Sequence, residues 1–220
     1  MELLGISLSD VGLREALRRT GEYLDQGGLN TIAYVSARNL LEASEDEEQQ
    51  RWWNELDLTI CEDAEILRAA GAATQNRIKE IEENIYLKEF LKTLVRRQIS
   101  VFLLAEEETR LEEFEEELRL LQSNLLVVGR DTTDHYEENK EGMINSINAL
   151  APRVLLSRLP CPEVIYLMHE YGQFLNCSVW LTLPETLIKG EREGWLKKVS
   201  GLIDKKLLHK KIQSFEQEEK

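Results

Sequence analysis

Six short apolar runs, at residues 31–35, 56–60, 99–104, 125–128, 154–156 and 179–183, recur along the chain; each is too short for a helix and rich in Val, Ile and Leu. Between them lie longer polar stretches whose apolar residues keep helical spacing, such as Leu13, Leu17 and Leu24, or Leu111, Phe114, Leu118 and Leu121. Strands alternating with helices predict an α/β fold, a mainly parallel sheet of about six strands with helices on both faces in a doubly wound, Rossmann-like arrangement. The punctuation agrees. Ser9 or Asp10 is placed to cap the first helix, Gly27-Gly28 to end it, and Pro152 and Pro162 flank later boundaries. With 220 residues, 42% of them apolar, the chain has material for one core. We therefore expect one α/β domain over 1–190 and a short basic helical appendage over 191–220.

Charge narrows the function classes. Forty-one acidic against 27 basic residues give a net charge of −14, which repels nucleic acid. The imbalance reverses over 192–211, where seven Lys or Arg face Glu193 and Asp204. Trp195, Leu196, Val199, Leu202, Ile203, Leu207 and Leu208 recur there at helical spacing. No run approaches the roughly 20 apolar residues that cross a bilayer, and the first residues lack a signal peptide's basic start, so a cytoplasmic protein is expected. Cys61, Cys161 and Cys177, odd in number and unrelated in spacing, read as reduced thiols.

In such a sheet ligands bind outside the carboxyl ends of the strands, so chemistry is sought just after each run. Glu62 beside Asp63 is a candidate general base; both residues also suit the first turn of the following helix. Cys61 and Cys161, with His135 or His169, are a conceivable nucleophile or metal set, against the plainer reading of packed thiols, and no metal site is expected. Of Trp52 and Trp53, one ring faces the core and its neighbour must face elsewhere. His169 reads as a satisfied helix residue, and the Glu-rich run at 106–117 as a solvated helix face.

Three segments carry a family resemblance: IAYVSARNLLEASEDEEQQRWWNELD at 32–57, VFLL at 101–104 and VVGRD at 127–131. Spacing and hydrophobic pattern across them, up to about residue 190, resemble the WecG/TagA/CpsF glycosyltransferases. The resemblance implies transfer of an N-acetylmannosamine-type sugar from UDP to a lipid-linked acceptor in cell-envelope polysaccharide synthesis, with a basic C-terminal appendage that brings the enzyme to the membrane.

Carried over residue by residue, the family's motifs are largely replaced. Its Asn-Pro-Glu falls on Ser36, Ala37 and Arg38. Its Asp-Gly, whose Asp is the expected base, falls on Glu62 and Asp63. Its Arg-x-x-Gly-x-Asp lands on Glu80, Glu83 and Ile85, although a small register shift brings in Asp63 or Arg77. The Gly-Gly after the third strand becomes Ala105 and Glu106. Its Gly-x-Gly-x-Pro-x-Gln-Glu becomes Ser157, Leu159, Cys161, Glu163 and Val164, and its Gly-Gly-x-Phe-Asp falls on Thr182, Leu183, Glu185 and Thr186. Ser36, Arg38, Asp131, Arg158 and Glu163 mark the implied substrate cleft. The cations near it are Arg38, Arg68, Arg77, Arg130 and Arg158. Three expectations stand: a catalytically impaired homologue that binds UDP-sugar weakly or not at all and serves as a partner, as a homo-oligomer or with an active relative; an active transferase with Glu62 as base; or a domain for an uncharged ligand. No cofactor is expected, and 192–211 is a possible peripheral membrane contact.

Overall fold

The computed structural model describes residues 1–188 together with Leu207, Leu208, Lys210, Lys211, Ile212 and Ser214. A two-stranded hairpin, β1 (Glu2–Leu3) and β2 (Ile6–Ser7), opens the chain. There follow α1 (Leu13–Asp25), β3 (Asn30–Val35), α2 (Ala37–Ala43), α3 (Glu47–Asn54), β4 (Leu58–Cys61), α4 (Ala64–Ala69), α5 (Gln75–Glu82) and α6 (Ile85–Arg96). Then come β5 (Ser100–Ala105), α7 (Glu108–Leu121), β6 (Leu126–Thr132), α8 (Lys140–Ala149), β7 (Val154–Arg158), α9 (Glu163–Tyr171) and β8 (Val179–Thr182). Strands β3 to β8 form one six-stranded sheet in the order β4-β3-β8-β7-β5-β6, with every pairing parallel. All six expected strands are present, and the fold is the α/β architecture that their alternation predicts.

Period-two alternation divides the sheet between two cores. Ala33, Val35, Phe102, Leu104, Leu155 and Trp180 face one side, where α2, α3, α8, α9 and the hairpin pack. Ile32, Tyr34, Val101, Leu103, Leu156 and Leu181 face the other, under α1, α6 and α7. The connections β3→β4, β6→β7 and β7→β8 run one way along the sheet and pass over the first face. Those from β4 to β5 and from β5 to β6 run the opposite way over the second. This partition is what a uniform crossover hand demands.

Local chemistry sets the helix starts. Ser36, Asp46, Thr74 and Asn139 each accept a backbone N–H from the first turn of the helix they precede. Helix α1 differs from expectation: its N-cap is Gly12, with no side-chain cap. Ser9 is instead committed to the sheet edge, its N–H donating to Thr59 Oγ1 at 2.7 Å and its Oγ accepting from Thr59 N at 3.0 Å. Asp10 is committed to Arg77 at 2.7 Å. The hairpin turn Leu4-Gly5, with φ of 55° and 77°, has the left-handed pair of a tight two-residue turn. At the far edge, β6 carries a bulge opposite Val101 and Phe102, which interrupts its ladder. Gly129 is required there, because a Cβ would lie 2.8 Å from the Phe102 ring and 2.4 Å from Leu150.

Among the described residues no helix is long and apolar enough to cross a membrane. Most of the basic stretch, including Trp195, Leu196, Val199, Leu202 and Ile203, lies outside the described residues. Of its described end, Leu208 is fully buried in the first core, Ile212 packs against it, and Lys211 reaches Glu45 at 2.9 Å. A leucine buried in this way contributes as a core residue does, so Leu208→Ala should cost about 2–5 kcal/mol in urea unfolding. A loss below about 0.5 kcal/mol would place Leu208 on a solvated tail instead.

Candidate functional site

The carboxyl ends of β3 and β4 open onto a cavity of about 60 Å3 lined by, among others, Leu13, Tyr34, Cys61, Glu62, Arg77, Glu80, Asn84 and Pro184. Each side chain arrives for a structural reason. Tyr34 is the last second-face residue of β3, and Glu62 follows β4, its N–H bonded to Val35 O at 2.8 Å. Arg77 lies in the first turn of α5. Its guanidinium holds Asp10 and reaches the carbonyls of Ala72 at 3.3 Å and Val11 at 3.4 Å, closing the N-terminal segment onto the cavity. Asn84 precedes α6 in the left-handed region, φ 47°, and its carboxamide oxygen accepts from Tyr34 Oη at 2.8 Å.

Asp63 occupies the N-cap position of α4 but makes no cap there. Its carboxylate instead accepts the N–H of Ala37 at 2.9 Å and so caps the neighbouring α2. Ser36 accepts Asn39 N at 3.1 Å, and Arg38, 71% exposed, pairs with Glu42 at 2.8 Å. Glu163, in the first turn of α9, lies 3.8 Å from Lys140.

At the carboxyl end of β7, Arg158 is buried. It donates to Glu117 Oε2 at 2.7 Å, and its guanidinium carbon sits 4.6 Å from the centre of the Phe114 ring. Burial lowers its pKa against the pull of Glu117. The same carboxylate oxygen accepts the N–H of Leu187 at 3.0 Å and fixes the path of the chain after β8. The Glu-rich helix therefore differs in part from a solvated face. Leu111, Phe114 and Leu118 form its buried stripe, while Glu115 and Glu117 turn toward Arg130 and Arg158. Glu108 takes Arg130 at 3.0 Å, and Glu107 accepts from Thr109 Oγ1 at 2.7 Å.

Asp131, inside β6, accepts from Tyr136 Oη at 2.7 Å, from His135 Nδ1 at 2.9 Å and from Thr132 N at 2.9 Å. Desolvation pushes its carboxyl pKa up, but these three donors together pull it down further. The hydrogen bond to Asp131 raises that of His135.

Burial pushes the thiols of Cys61, Cys161 and Cys177 up to about 12, which favours the protonated form at neutral pH and suits packed thiols. Among the described residues no three of His, Cys, Asp and Glu gather as a metal site. Trp53 is buried while Trp52 packs on Tyr166 and His169, and His169 is satisfied by Glu55.

The family model for the glycosyl transferase WecG/TagA/CpsF family matches residues 1–187. The chain belongs to that family. No curated protein matches its sequence. Within the WecG/TagA/CpsF frame, the ungapped placement of the family's Arg on Glu80 is only part of the picture. Both Glu80 and Arg77, one helical turn earlier, line the cavity, so a guanidinium stands beside the carboxylate. Sequence spacing reached Arg77 through a register shift and missed the parts played by Asn84 and by Glu117. The signals were slight: a lone Asn before an apolar helical stripe, and one acid among many.

Two outcomes follow. Removing one partner of a buried ion pair leaves the other charge uncompensated, so Glu117→Ala should cost about 3–5 kcal/mol in chemical unfolding, whereas Arg38→Ala, at an exposed pair, should change little. His135 should titrate above its ordinary 6.5 by NMR and return toward it in Asp131→Asn. Because the folded pKa is raised, the small stabilisation from this exposed pair is complete below 6.5 and fades as pH rises through the folded value. The Asp131 contribution is present above its ordinary 3.8 and is lost as pH falls through the depressed value.

Proposed function

We propose that this chain is a divergent WecG/TagA/CpsF glycosyltransferase homologue of cell-envelope polysaccharide synthesis in which UDP-sugar binding is weak or lost. It acts as a binding protein at the cytoplasmic side of the membrane, with an active relative or a second copy as partner. One observation carries the reading: each of the five arginines near the carboxyl edge already holds a carboxylate of its own chain. Arg38 holds Glu42, Arg68 holds Glu65, Arg77 holds Asp10, Arg130 holds Glu108 and Glu115, and Arg158 holds Glu117. A diphosphate entering this cleft must displace an internal partner at every cation it uses, beside further acids such as Glu62 and Glu80. Helix α7 offers no compensation, since Glu107 and Glu108 surround its free N–H groups.

A second reading is favoured by one specific feature: Glu62 and Arg77 line the same cavity, an acid suited to general-base work beside a cation suited to a leaving diphosphate. Calorimetric titration with UDP and UDP-N-acetylmannosamine at low ionic strength separates the two. The proposal expects dissociation constants weaker than about 1 mM, only a few kcal/mol of binding. It also expects about tenfold tighter UDP binding in Asp10→Asn, which frees Arg77 of its strongest partner. Micromolar UDP binding that disappears in Arg77→Ala, with sugar transfer that disappears in Glu62→Gln, would establish the active enzyme instead.

A further inference from the structure

We propose that the outer edge of β6 is an interface at which a second copy of this chain pairs antiparallel, joining the two sheets about a two-fold axis. This rests on the partner role proposed above, and names a second copy as that partner. The two edges of the sheet are treated differently, and that contrast carries the inference. At the β4 edge the chain covers itself: Ser9 exchanges two hydrogen bonds with Thr59, at 2.7 and 3.0 Å, and Asn54 of α3 ties down the N-terminal hairpin. At the β6 edge, among the described residues, no element pairs with the strand on its outer side. The N–H and C=O groups that point away from β5 are left as a template for another strand.

An open edge is ordinarily blunted by charge or by a bulge. Both devices occur in β6, yet neither leaves a free charge on the edge. Arg130 is turned onto α7, where it holds Glu108 and Glu115 at 3.0 Å each, and Asp131 is held by Tyr136 and His135. The bulge leaves Val128 with no partner on β5, and Val128 packs into neither core while staying half-exposed. Leu126, in the same strand, is 49% exposed, and Leu150, equally exposed, leans on Gly129 from the first face. On the second face a groove of about 580 Å3 runs beside the strand, lined by Leu118, Leu125 and Val127 among others. The free backbone of β6 is therefore flanked by apolar side chains on both faces, the surface that a pairing strand buries.

Charge selects the occupant. The chain carries a net charge of −14, so two copies repel through most of their surface. From Arg119 to Arg130, however, the sequence holds no carboxylate. The two arginines that bound this stretch are matched by Glu108 and Glu115 of α7, Arg119 lying 2.6 Å from Glu115. Two cations and two anions make the rim of the edge neutral, so it meets its own image without like-charge cost, whereas a strongly acidic or basic partner gains nothing from it. A strand edge paired antiparallel is also its own complement, because a two-fold axis sets the donors of each copy against the acceptors of the other. Such a contact is closed and stops at two copies, since β4, the other edge, is already covered.

The test is sedimentation velocity of the full chain over about 1–200 μM, where a monomer–dimer equilibrium with a dissociation constant on the order of 10 μM is expected. Leu126→Lys and Leu150→Lys, each placing a charge on the edge, should weaken association at least about tenfold. Tyr166→Lys, at an exposed aromatic side chain on α9, should leave it unchanged. Amide hydrogen exchange of the wild-type chain, compared at the two ends of the concentration range, should slow at residues 126–129 on association, a readout that requires no variant to fold. A chain that stays monomeric to about 200 μM overturns the interface, as does a dimer that both lysine variants leave intact and that gives no slowing at 126–129. A monomer whose UDP binding is also weak removes this inference alone and leaves donor loss, with an active relative as partner, standing. Micromolar UDP binding with sugar transfer overturns that reading however the edge behaves.

Discussion

Burial of a parallel sheet on both faces is the constraint from which the rest of this molecule follows. Every strand between the edges must be apolar on both sides, as the two cores meeting along β5, β7 and β8 show. Only the strand ends remain for polar chemistry. At the carboxyl ends the helices of both layers begin, so free backbone N–H groups and the polar side chains of five connections are brought to one edge. The chain reverses direction along the sheet at β4 and at β6, and the connections leaving the neighbouring strands β7 and β5 diverge over opposite faces. The cavity lies away from that divergence, at the ends of β3 and β4 beside Asn84 at the start of α6.

What lines it here is electrostatically closed. Arg158–Glu117 differs in kind from the exposed pairs, and Arg77–Asp10 is intermediate, with Arg77 half-buried and Asp10 exposed. Arg158 is 7% exposed and Glu117 has only 18% of its side chain in water, so screening is slight and breaking the pair strands a charge. Arg38–Glu42, an i,i+4 pair open to solvent, is worth about 0.3–0.5 kcal/mol and by itself would not hold off a phosphate. The burden of the proposed reading therefore falls on the two partly or wholly buried arginines. Each also holds backbone in place: Arg77 binds the carbonyls of Ala72 and Val11, and Glu117 binds the N–H of Leu187. Residues that would bind an anion elsewhere are here used to fix the chain around the cavity.

The sheet was legible because its signal is collective. Six apolar runs at spacings that leave room for helices admit few arrangements, and the alternation within each run set the two faces. The hairpin was not legible: its strands are two residues long, and its turn is Leu4-Gly5 rather than a sequence with a strong turn signature. Ser9 and Asp63 carried correct cap chemistry but spent it on partners distant in sequence, Thr59 and Ala37, a choice that only tertiary placement decides. Arg77 was obscured for a related reason. Matching it to a motif depended on register, whereas its position beside Glu80 depends on helical period, one turn of α5 bringing both to one wall. The hydrogen bond from Tyr34 to Asn84 has no sequence signature at all, because it joins residues fifty apart.

The residues that build the family frame over 187 residues are separate from those at the strand ends where chemistry would run. The frame is held by residues such as Trp180, whose indole N–H reaches Ser157 Oγ at 2.8 Å inside the sheet, and Trp53, buried beneath α3. Replacing these opens cavities costing several kcal/mol, close to the whole margin of a typical domain. The residues after the strands carry no such cost. Ser36 caps α2, Glu106 accepts Asp134 N through its backbone carbonyl, and Glu163 stands in the first turn of α9. Stability therefore asks of a charged residue at the carboxyl edge chiefly that it find a partner, and the ion pairs there supply those partners.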